Sequence, residues 1–323
     1  MVIVTGANGF IGSAMVWQLN SAGVVNIVCV DSINLKKRNQ LLANKKYSHF
    51  WEKNELIEKL NSGNYDNKVE WIIHMGACSS TTEMDVEFLK ENNTDYTRKL
   101  FQWCTKHEIP FLYASSAAVY GNGENGFDDH TPAEAFEPLN PYGRSKSEFD
   151  VWALLQKKTP PQWYGVRFFN VYGPNEYFKE SMSSVVYKAF HEINKTKKLK
   201  LFKSHRSDYE DGKQKRDFVY VKDCTNWMME MKQKKIPSGI YNLGFGTART
   251  WLDLAGNVFQ NMNREMDINW IEMPENIRKQ YQYFTEAKMT KMWNAKMSKP
   301  KWSLEDGIKD YLQNYLLKNE AIL

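Results

Sequence analysis

The sequence predicts an α/β protein, a doubly wound parallel sheet with a smaller α/β domain toward the C-terminus. Three observations carry that expectation. Short β-branched runs alternate with helix-length amphipathic segments up to about residue 170, the pattern of repeated βαβ units. The first run, Val2-Ile3-Val4-Thr5, opens directly onto a glycine-spaced turn and a helix. Later runs end in small or polar residues, as strands do when their carboxyl ends face a crevice.

Bulk properties narrow the class. A chain of 323 residues buries one large core or two linked ones. The net charge of +5 suits an anionic small molecule such as a nucleotide. The basic residues are dispersed, which argues against a nucleic-acid stripe. Cys29, Cys78, Cys104 and Cys224 form no C-x-x-C pair, so neither a metal site nor a disulfide framework is expected. Scattered free thiols suit a reducing compartment. No apolar run approaches the ~18 residues of a membrane span. Strand character begins at Val2, so no signal peptide is expected, and the protein is read as cytoplasmic.

The first unit is the most informative. Val2–Thr5 leads into Gly6-Ala7-Asn8-Gly9-Phe10-Ile11-Gly12, and a helical pattern follows through Met15, Val16 and Leu19 to about Gly23. A second run, Asn26–Asp31, ends in an acid. Gly6 permits the tight turn, Gly9 lets backbone approach a pyrophosphate, and Gly12 lets the helix pack on the strand. The pyrophosphate then rests on the helix N-terminus. Asp31, about 20 residues beyond the glycines, suits an adenine-side ribose hydroxyl. The unit predicts a Rossmann-type dinucleotide site. Asp31 favours NAD, whereas Lys36, Lys37, Arg38 and Lys53 offer charge for the 2′-phosphate of NADP.

Val69–His74 reads as the third strand and runs into the small-residue loop Met75-Gly76-Ala77-Cys78-Ser79. Glu83–Lys106 carries a helical stripe through Val86, Leu89, Tyr96, Leu100 and Trp103. Asn92 interrupts it and is expected to hold backbone near a cofactor. Ile109–Ala114 is the fourth strand, and Ser116 at its end faces the crevice.

Asn140-Pro141-Tyr142-Gly143-Arg144-Ser145-Lys146 starts a helix, with Pro in the first turn. Tyr142 and Lys146 fall at i and i+4, with Cβ atoms roughly 5–6 Å apart. A free phenol titrates near ~10, and a neighbouring cation favours the phenolate. The pair is a proton acceptor for an alcohol losing hydride, with Ser116 expected to bond both hydroxyls. The same spacing at Tyr209–Lys213 lies in a polar, charged stretch and reads as chance.

Trp163–Phe169 is the fifth strand, and the chain leaves the sheet near Pro174. A helix is expected around Val185, Val186 and Phe190, and a loop over 204–215. Strand character returns at Arg216–Val221 and Ile240–Gly244, and Thr250 is an N-cap. The expected division is a dinucleotide-binding domain of 1–170 plus 217–249, and a substrate domain of 171–216 plus 250–323.

The glycine spacing resembles the extended branch of the short-chain dehydrogenase/reductase superfamily. With Ser115-Ser116-Ala117-Ala118-Val119-Tyr120-Gly121, Tyr142-x-x-x-Lys146 and Arg216–Val221, the chain is similar along its whole length to the nucleotide-sugar epimerases and dehydratases of that branch. A narrower resemblance is to the epimerases of ADP-linked heptose, which serve lipopolysaccharide inner-core synthesis. It rests on His74-x-Gly76–Glu83, Phe111–Ala118, and Phe169–Pro174 with Lys179-x-Ser181-Met182-x-Ser184-Val185.

That resemblance implies Ser116, Tyr142 and Lys146 as the catalytic trio, with Lys179 a second acid/base. It implies NADP (NAD possible) held by Gly6, Gly9, Phe10, Ile11, Gly12, Asp31, Ser32, Arg38, Lys53, Met75–Ser79, Asn92, Val171 and the acid/base residues. ADP-heptose would meet Ser116, Asn170, Ser181, Lys188, Phe202, Lys203, Ser204, His205, Arg216 and Tyr281, the last within Gln280-Tyr281-Gln282-x-Phe284-Thr285. The resemblance further implies a cytoplasmic homo-oligomer, a ring of five, without nucleic-acid or membrane partners. Met75 replaces the family's usual Glu, Lys188 a common His, and the 205–215 loop is longer. Arg38 for the usual Lys keeps the charge expected for NADP.

Alternatives stay open at this point. A dehydratase would need acidic residues where Ala117-Ala118 stand. A UDP-glucose type 4-epimerase shares the trio but not the need for Lys179. A non-catalytic dinucleotide- or RNA-binding protein would not need the intact trio.

Overall fold

A computed structural model describes residues 1–278 and 281–323, which leaves Gln280 of the motif around Tyr281 outside the described residues. Among the described residues, thirteen strands are distributed among one large and three small sheets. They are β1 (Val2–Thr5), β2 (Ile27–Asp31), β3 (His49–Glu52), β4 (Trp71–His74), β5 (Phe111–Ser116), β6 (Trp163–Phe168) and β7 (Asn170–Tyr172). There follow β8 (Leu199–Phe202), β9 (Lys215–Arg216), β10 (Phe218–Tyr220), β11 (Gly239–Leu243), β12 (Arg249–Thr250) and β13 (Ile268–Ile271). The helices are α1 (Phe10–Ser21), α2 (Lys53–Asn61), α3 (Val86–Leu89), α4 (Tyr96–Lys106), α5 (Pro141–Leu154) and α6 (Val185–Thr196). They continue with α7 (Val221–Lys234), α8 (Trp251–Asn261), α9 (Glu275–Arg278), α10 (Thr290–Asn294) and α11 (Leu304–Asn314).

The large sheet has seven strands in the order β11-β6-β5-β4-β1-β2-β3, every neighbouring pair parallel. Strand order reverses between β1 and β4. Ligand crevices of open α/β sheets form at such a switch point, outside the carboxyl ends of the strands.

The alternation of side chains across the sheet builds two cores. Val2 and Val4 of β1 pack into one apolar cluster with Trp71, Ile73 and Leu112. Ile3 packs into the opposite cluster with Ile72, Phe111 and Tyr113. A third core joins α6, β8, α8 and α11 through Val186, Phe190, Leu201, Leu254, Ile308 and Tyr311. No helix among the described residues is long and apolar enough to cross a membrane.

Three elements differ from expectation. Arg216–Val221 does not return to the large sheet as one strand. It splits into β9, paired antiparallel with β12, and β10, paired parallel with β7, and α7 already begins at Val221. The chain leaves the large sheet at Phe169, not Pro174, because β7 turns to pair with β10. The stripe over 83–106 is likewise not one regular helix: residues Lys90–Asp95 between α3 and α4 form a π-helical turn.

Candidate active site

The carboxyl end of β1 is closed by glycines that leave no room for side chains. Gly6 turns the chain at φ +64°, and a Cβ there would stand 2.7 Å from Gly76 N. A Cβ on Gly12 would stand 2.0 Å from Gly6 O, so α1 is packed directly onto the turn. Gly9 caps α1 without a side-chain hydrogen bond, and no acid occupies the first turn. The open N–H groups and positive end of this helix suit a phosphate.

Beside this cradle Asp31 ends β2. Its carboxylate accepts from Asn8 N and Ile33 N, each at 2.9 Å. Burial nevertheless raises its pKa, against those bonds and the Arg38 charge. Arg38 donates to Asn8 O and lies over the Phe178 ring, 5.1 Å from its centroid. Its buried Nε has no partner, nor has Asn8 Oδ1. Unsatisfied buried polar atoms of this kind fit a bound polar group. Ser32 lies at the exposed mouth, and Lys53 lies over Tyr96, 4.9 Å from the ring centroid.

Met75, Gly76, Ala77, Cys78 and Ser79 follow β4 and line the same cavity. Gly76 N donates to Thr5 Oγ1 at 3.1 Å, and Thr5 meets buried His74 at 2.6 Å. Burial, with the Lys146 and Lys53 charges, holds His74 down to about 3, so it is a neutral strut at ordinary pH. The loop's other anchor is Asn93. It accepts from Cys78 N at 2.9 Å and donates to Cys78 O and Ser145 Oγ, each at 3.0 Å. Asn92 holds a different stretch of backbone from this loop. Asn92 reaches the cavity, but its side chain binds Lys53 and Phe88 O. The π turn phases Asn93 toward the loop, and π turns recur at functional sites.

Helix α5 begins at Asn140, whose Oδ1 accepts from Gly143 N at 2.8 Å, with Pro141 in the first turn. It delivers Tyr142 and Lys146 to the cavity, both buried. Ser116, at the end of β5, faces Tyr142 and draws its pKa down; burial outweighs this and leaves the phenol raised. Burial pushes Lys146 itself down to about 8, with the Asp150 charge one turn further along α5 opposing. Alternation along β5 points Ser115 the other way: with Tyr113 and Arg167 it satisfies buried Asp150, each bond at 2.9 Å.

Across the cavity, Asn170 and Val171 of β7 and Lys179 complete the wall. Lys179 Nζ lies 5.6 Å from the Phe10 ring centroid, at the mouth of α1. Burial lowers its pKa, opposed by Glu176 and reinforced by Lys188. The space enclosed is about 890 Å³. Volumes of that order hold cofactor-sized ligands.

The remaining substrate-side residues do not line it. Ser181 lies next to the wall, where its carbonyl accepts from Lys188 Nζ at 2.5 Å. Lys203 pairs with Glu272, while Ser204 and His205 gather on the Tyr283 hydroxyl, and Phe202 ends β8. Arg216 is buried between Trp251 and Tyr281, 5.7 and 5.2 Å from their ring centroids. Its guanidinium donates only to the Lys215 and Gln282 carbonyls and has no carboxylate partner among the described residues. A buried cation in that state fits a diphosphate. Trp251 links it to the cavity, which Trp251 lines while donating to Tyr281 Oη at 2.9 Å. Sequence reasoning missed Trp251 and Asn93. The Thr250 N-cap marked where α8 starts but not where its first side chain points.

Comparison with known proteins agrees with this geometry. The family model described as "NAD dependent epimerase/dehydratase family" matches residues 2–244. The chain is 44% identical over 332 residues to the ADP-L-glycero-D-manno-heptose-6-epimerase of Fusobacterium nucleatum, covering 100% of both chains. It is 45% identical over 317 residues to that of Nitratidesulfovibrio vulgaris, covering 98% of both. Among solved structures, the Helicobacter pylori ADP-L-glycero-D-manno-heptose-6-epimerase superposes with a TM-score of 0.78 at 26% identity. The match covers 97% of this chain and 95% of that one. A glycine cradle at the switch point, an acid at the end of β2 and these end-to-end relatives have one explanation: the chain belongs to the NAD dependent epimerase/dehydratase family.

Proposed function

We propose that the protein interconverts ADP-D-glycero-D-manno-heptose and ADP-L-glycero-D-manno-heptose at C6″, as a step of lipopolysaccharide inner-core heptose supply. The observation that carries the reading is a single cavity bounded by two separate acid/base groups, Tyr142 on α5 and Lys179 after β7. When the ketone turns over between the two hydride transfers its oxygen meets a different wall of the cavity, and a second acid/base group there supplies the proton that the first group is no longer placed to return. The names of the relatives support the sugar, and buried Arg216 supports the diphosphate.

The chemistry supplied by a bound nicotinamide dinucleotide is reversible hydride acceptance at C6″. Tyr142, bonded by Ser116, takes the hydroxyl proton on one face as the 6″-ketone forms. Lys146 orients the cofactor. After the ketone turns in the cavity, Lys179 handles the proton on the other face. Asn170, Val171 and Met182 line the cavity in which the ketone must turn without leaving. For the cofactor we propose NADP, with NAD also accepted. The unpartnered Nε of Arg38 supports a 2′-phosphate, and Asp31, already bonded by two backbone N–H groups, is less free for a ribose hydroxyl. A cytoplasmic ring of five is proposed from the family resemblance alone.

Incubation with ADP-D-glycero-D-manno-heptose, separation of the 6″ epimers and identification of the copurified nucleotide test the reading. Conversion that Lys179→Met slows about a hundredfold or more is expected. Conversion by Lys179→Met at the parental rate, or turnover of UDP-glucose in place of ADP-heptose, would overturn it.

A further inference from the structure

Lys179 sits on the excursion 173–184 between β7 and α6, and that excursion has an acid folded inside it. Glu176 is 1% exposed. Its Oε1 accepts from Gly173 N at 3.2 Å and from Ser184 Oγ at 2.8 Å, and its Oε2 accepts from Ser184 N at 2.5 Å. Gly173 and Ser184 are the two ends of the excursion, so one carboxylate ties its neck shut. Inside, Glu176 O accepts from Lys179 N at 3.1 Å and Lys179 O from Met182 N at 2.8 Å. The backbone needs holding: Gly173, Asn175 and Glu180 all adopt positive φ, of +139°, +81° and +48°. Left-handed conformations at non-glycine residues persist where surroundings enforce them.

A plain loop staple would serve with neutral partners. Glu176 instead brings a charge to a buried place where no cation pairs with it among the described residues within salt-bridge range. Ser184 also caps α6, accepting from Tyr187 N at 3.2 Å, so the carboxylate lies at the positive end of that helix.

We propose that Glu176 is the positioning residue of Lys179, closing the neck of the excursion that carries the amine. The proposal rests on the reading of Lys179 as the second acid/base. The groups facing this pair are Lys188 and Tyr187 of α6, Tyr311 of α11, and Tyr177 of the excursion itself. Of these, only Lys188 joins Glu176 in acting on the Lys179 amine, with the opposite sign. Removing the Glu176 charge therefore lowers the Lys179 pKa further.

The test is Glu176→Gln, which keeps the shape and removes the charge, with Ser184→Ala and Lys179→Met in parallel. The limb of the kcat/KM pH profile that Lys179→Met eliminates identifies the amine. In Glu176→Gln that limb moves to lower pH, and kcat falls about tenfold at a little-changed KM. Ser184→Ala, which keeps the charge, lowers kcat about threefold with the limb in place. A Glu176→Gln limb superimposed on the parent's overturns the proposal, as does an equal displacement in Ser184→Ala. If Glu176→Gln does not fold, Ser184→Ala decides: parental kcat overturns, and a fall with an unmoved limb supports. Parental activity in Lys179→Met defeats the underlying reading instead, and is distinguished because no limb then belongs to the amine.

Discussion

The side chain of Asn93 and the backbone of Cys78 form a closed two-bond pair, N–H to Oδ1 at 2.9 Å and Nδ2–H to carbonyl at 3.0 Å. Asn93 thereby substitutes for a strand partner, satisfying both polar groups of a loop residue that no sheet reaches. The pair fixes the loop's distance from the glycine turn, because Gly76 N is bonded to Thr5 at the other end.

Replacing Asn93 with Ala leaves the half-buried Cys78 N–H and C=O groups without these partners. Stability falls by about 1–3 kcal/mol and dinucleotide affinity by tenfold or more, on the order of a bonded group left unsatisfied. Asn92→Ala, which frees only Lys53 and Phe88 O, has the smaller effect on stability. Chemical denaturation and dinucleotide titration of the two variants give the comparison.

Gly12 and Gly23 separate two reasons for glycine. A methyl at Gly12 collides with Gly6 O, whereas a methyl at Gly23 meets nothing within 4 Å but sits at φ +80°. Gly12→Ala costs about 1–3 kcal/mol or more by overpacking and abolishes dinucleotide binding. Gly23→Ala costs about 1–2 kcal/mol through conformation alone and leaves binding intact. Equal binding by both variants would refute the cradle.

Lys146 makes stability depend on pH in a defined direction. Its pKa is lowered from 10.5 to about 8 by burial. Below about 8 both folded and unfolded chains carry the proton, and the folded state bears the full cost of the buried charge. Between about 8 and 10.5 the unfolded chain binds more protons, so folding gains with rising pH, by up to about 3 kcal/mol. Lys146→Met removes that rise, which denaturation midpoints of the two proteins across the window measure directly. An identical slope in both would place the charge elsewhere.

Arg38 and Arg216 are predicted to matter for binding more than for folding. Arg38→Ala lowers NADP affinity about tenfold relative to NAD, the scale of a lost charge-assisted hydrogen bond. Isothermal titration with each dinucleotide reads the ratio, and an unchanged ratio excludes a 2′-phosphate at Arg38.

Arg216→Met replaces a buried cation that lacks a carboxylate. ADP affinity falls at least tenfold while the melting temperature holds or rises, since an uncompensated charge leaves the interior. A lower melting temperature with unchanged ADP affinity would make Arg216 purely structural.

Much of this was legible in the residues, and the exceptions have physical causes. Val2–Thr5 and Trp71–His74 are buried on both faces, and such runs announce themselves as apolar. His49–Glu52 is an edge strand with exposed His49 and Glu52, so nothing but its pairing with β2 marks it. The trio is readable because Ser116, Tyr142 and Lys146 each follow from a strand end or a helix spacing. Trp251 and Glu176 are not, since their importance comes from what the third core brings against them. The choice of Asn93 over Asn92 depends on helix phase, and an α-helical reading of 83–106 places the wrong one of two adjacent asparagines.

That π turn at 90–95 makes a single-residue deletion informative. The segment behaves as a helix with one spare residue, and α3 and α4 keep separate rotational phases on either side of it. Losing the spare residue would rejoin the two phases, swing Asn93 off Cys78 by about 100°, and still leave Leu100, Phe101 and Cys104 on the apolar face they occupy now. Such a variant would keep a folded sheet and forfeit its grip on the dinucleotide, so that one residue of helix length separates a built cofactor loop from a bare scaffold.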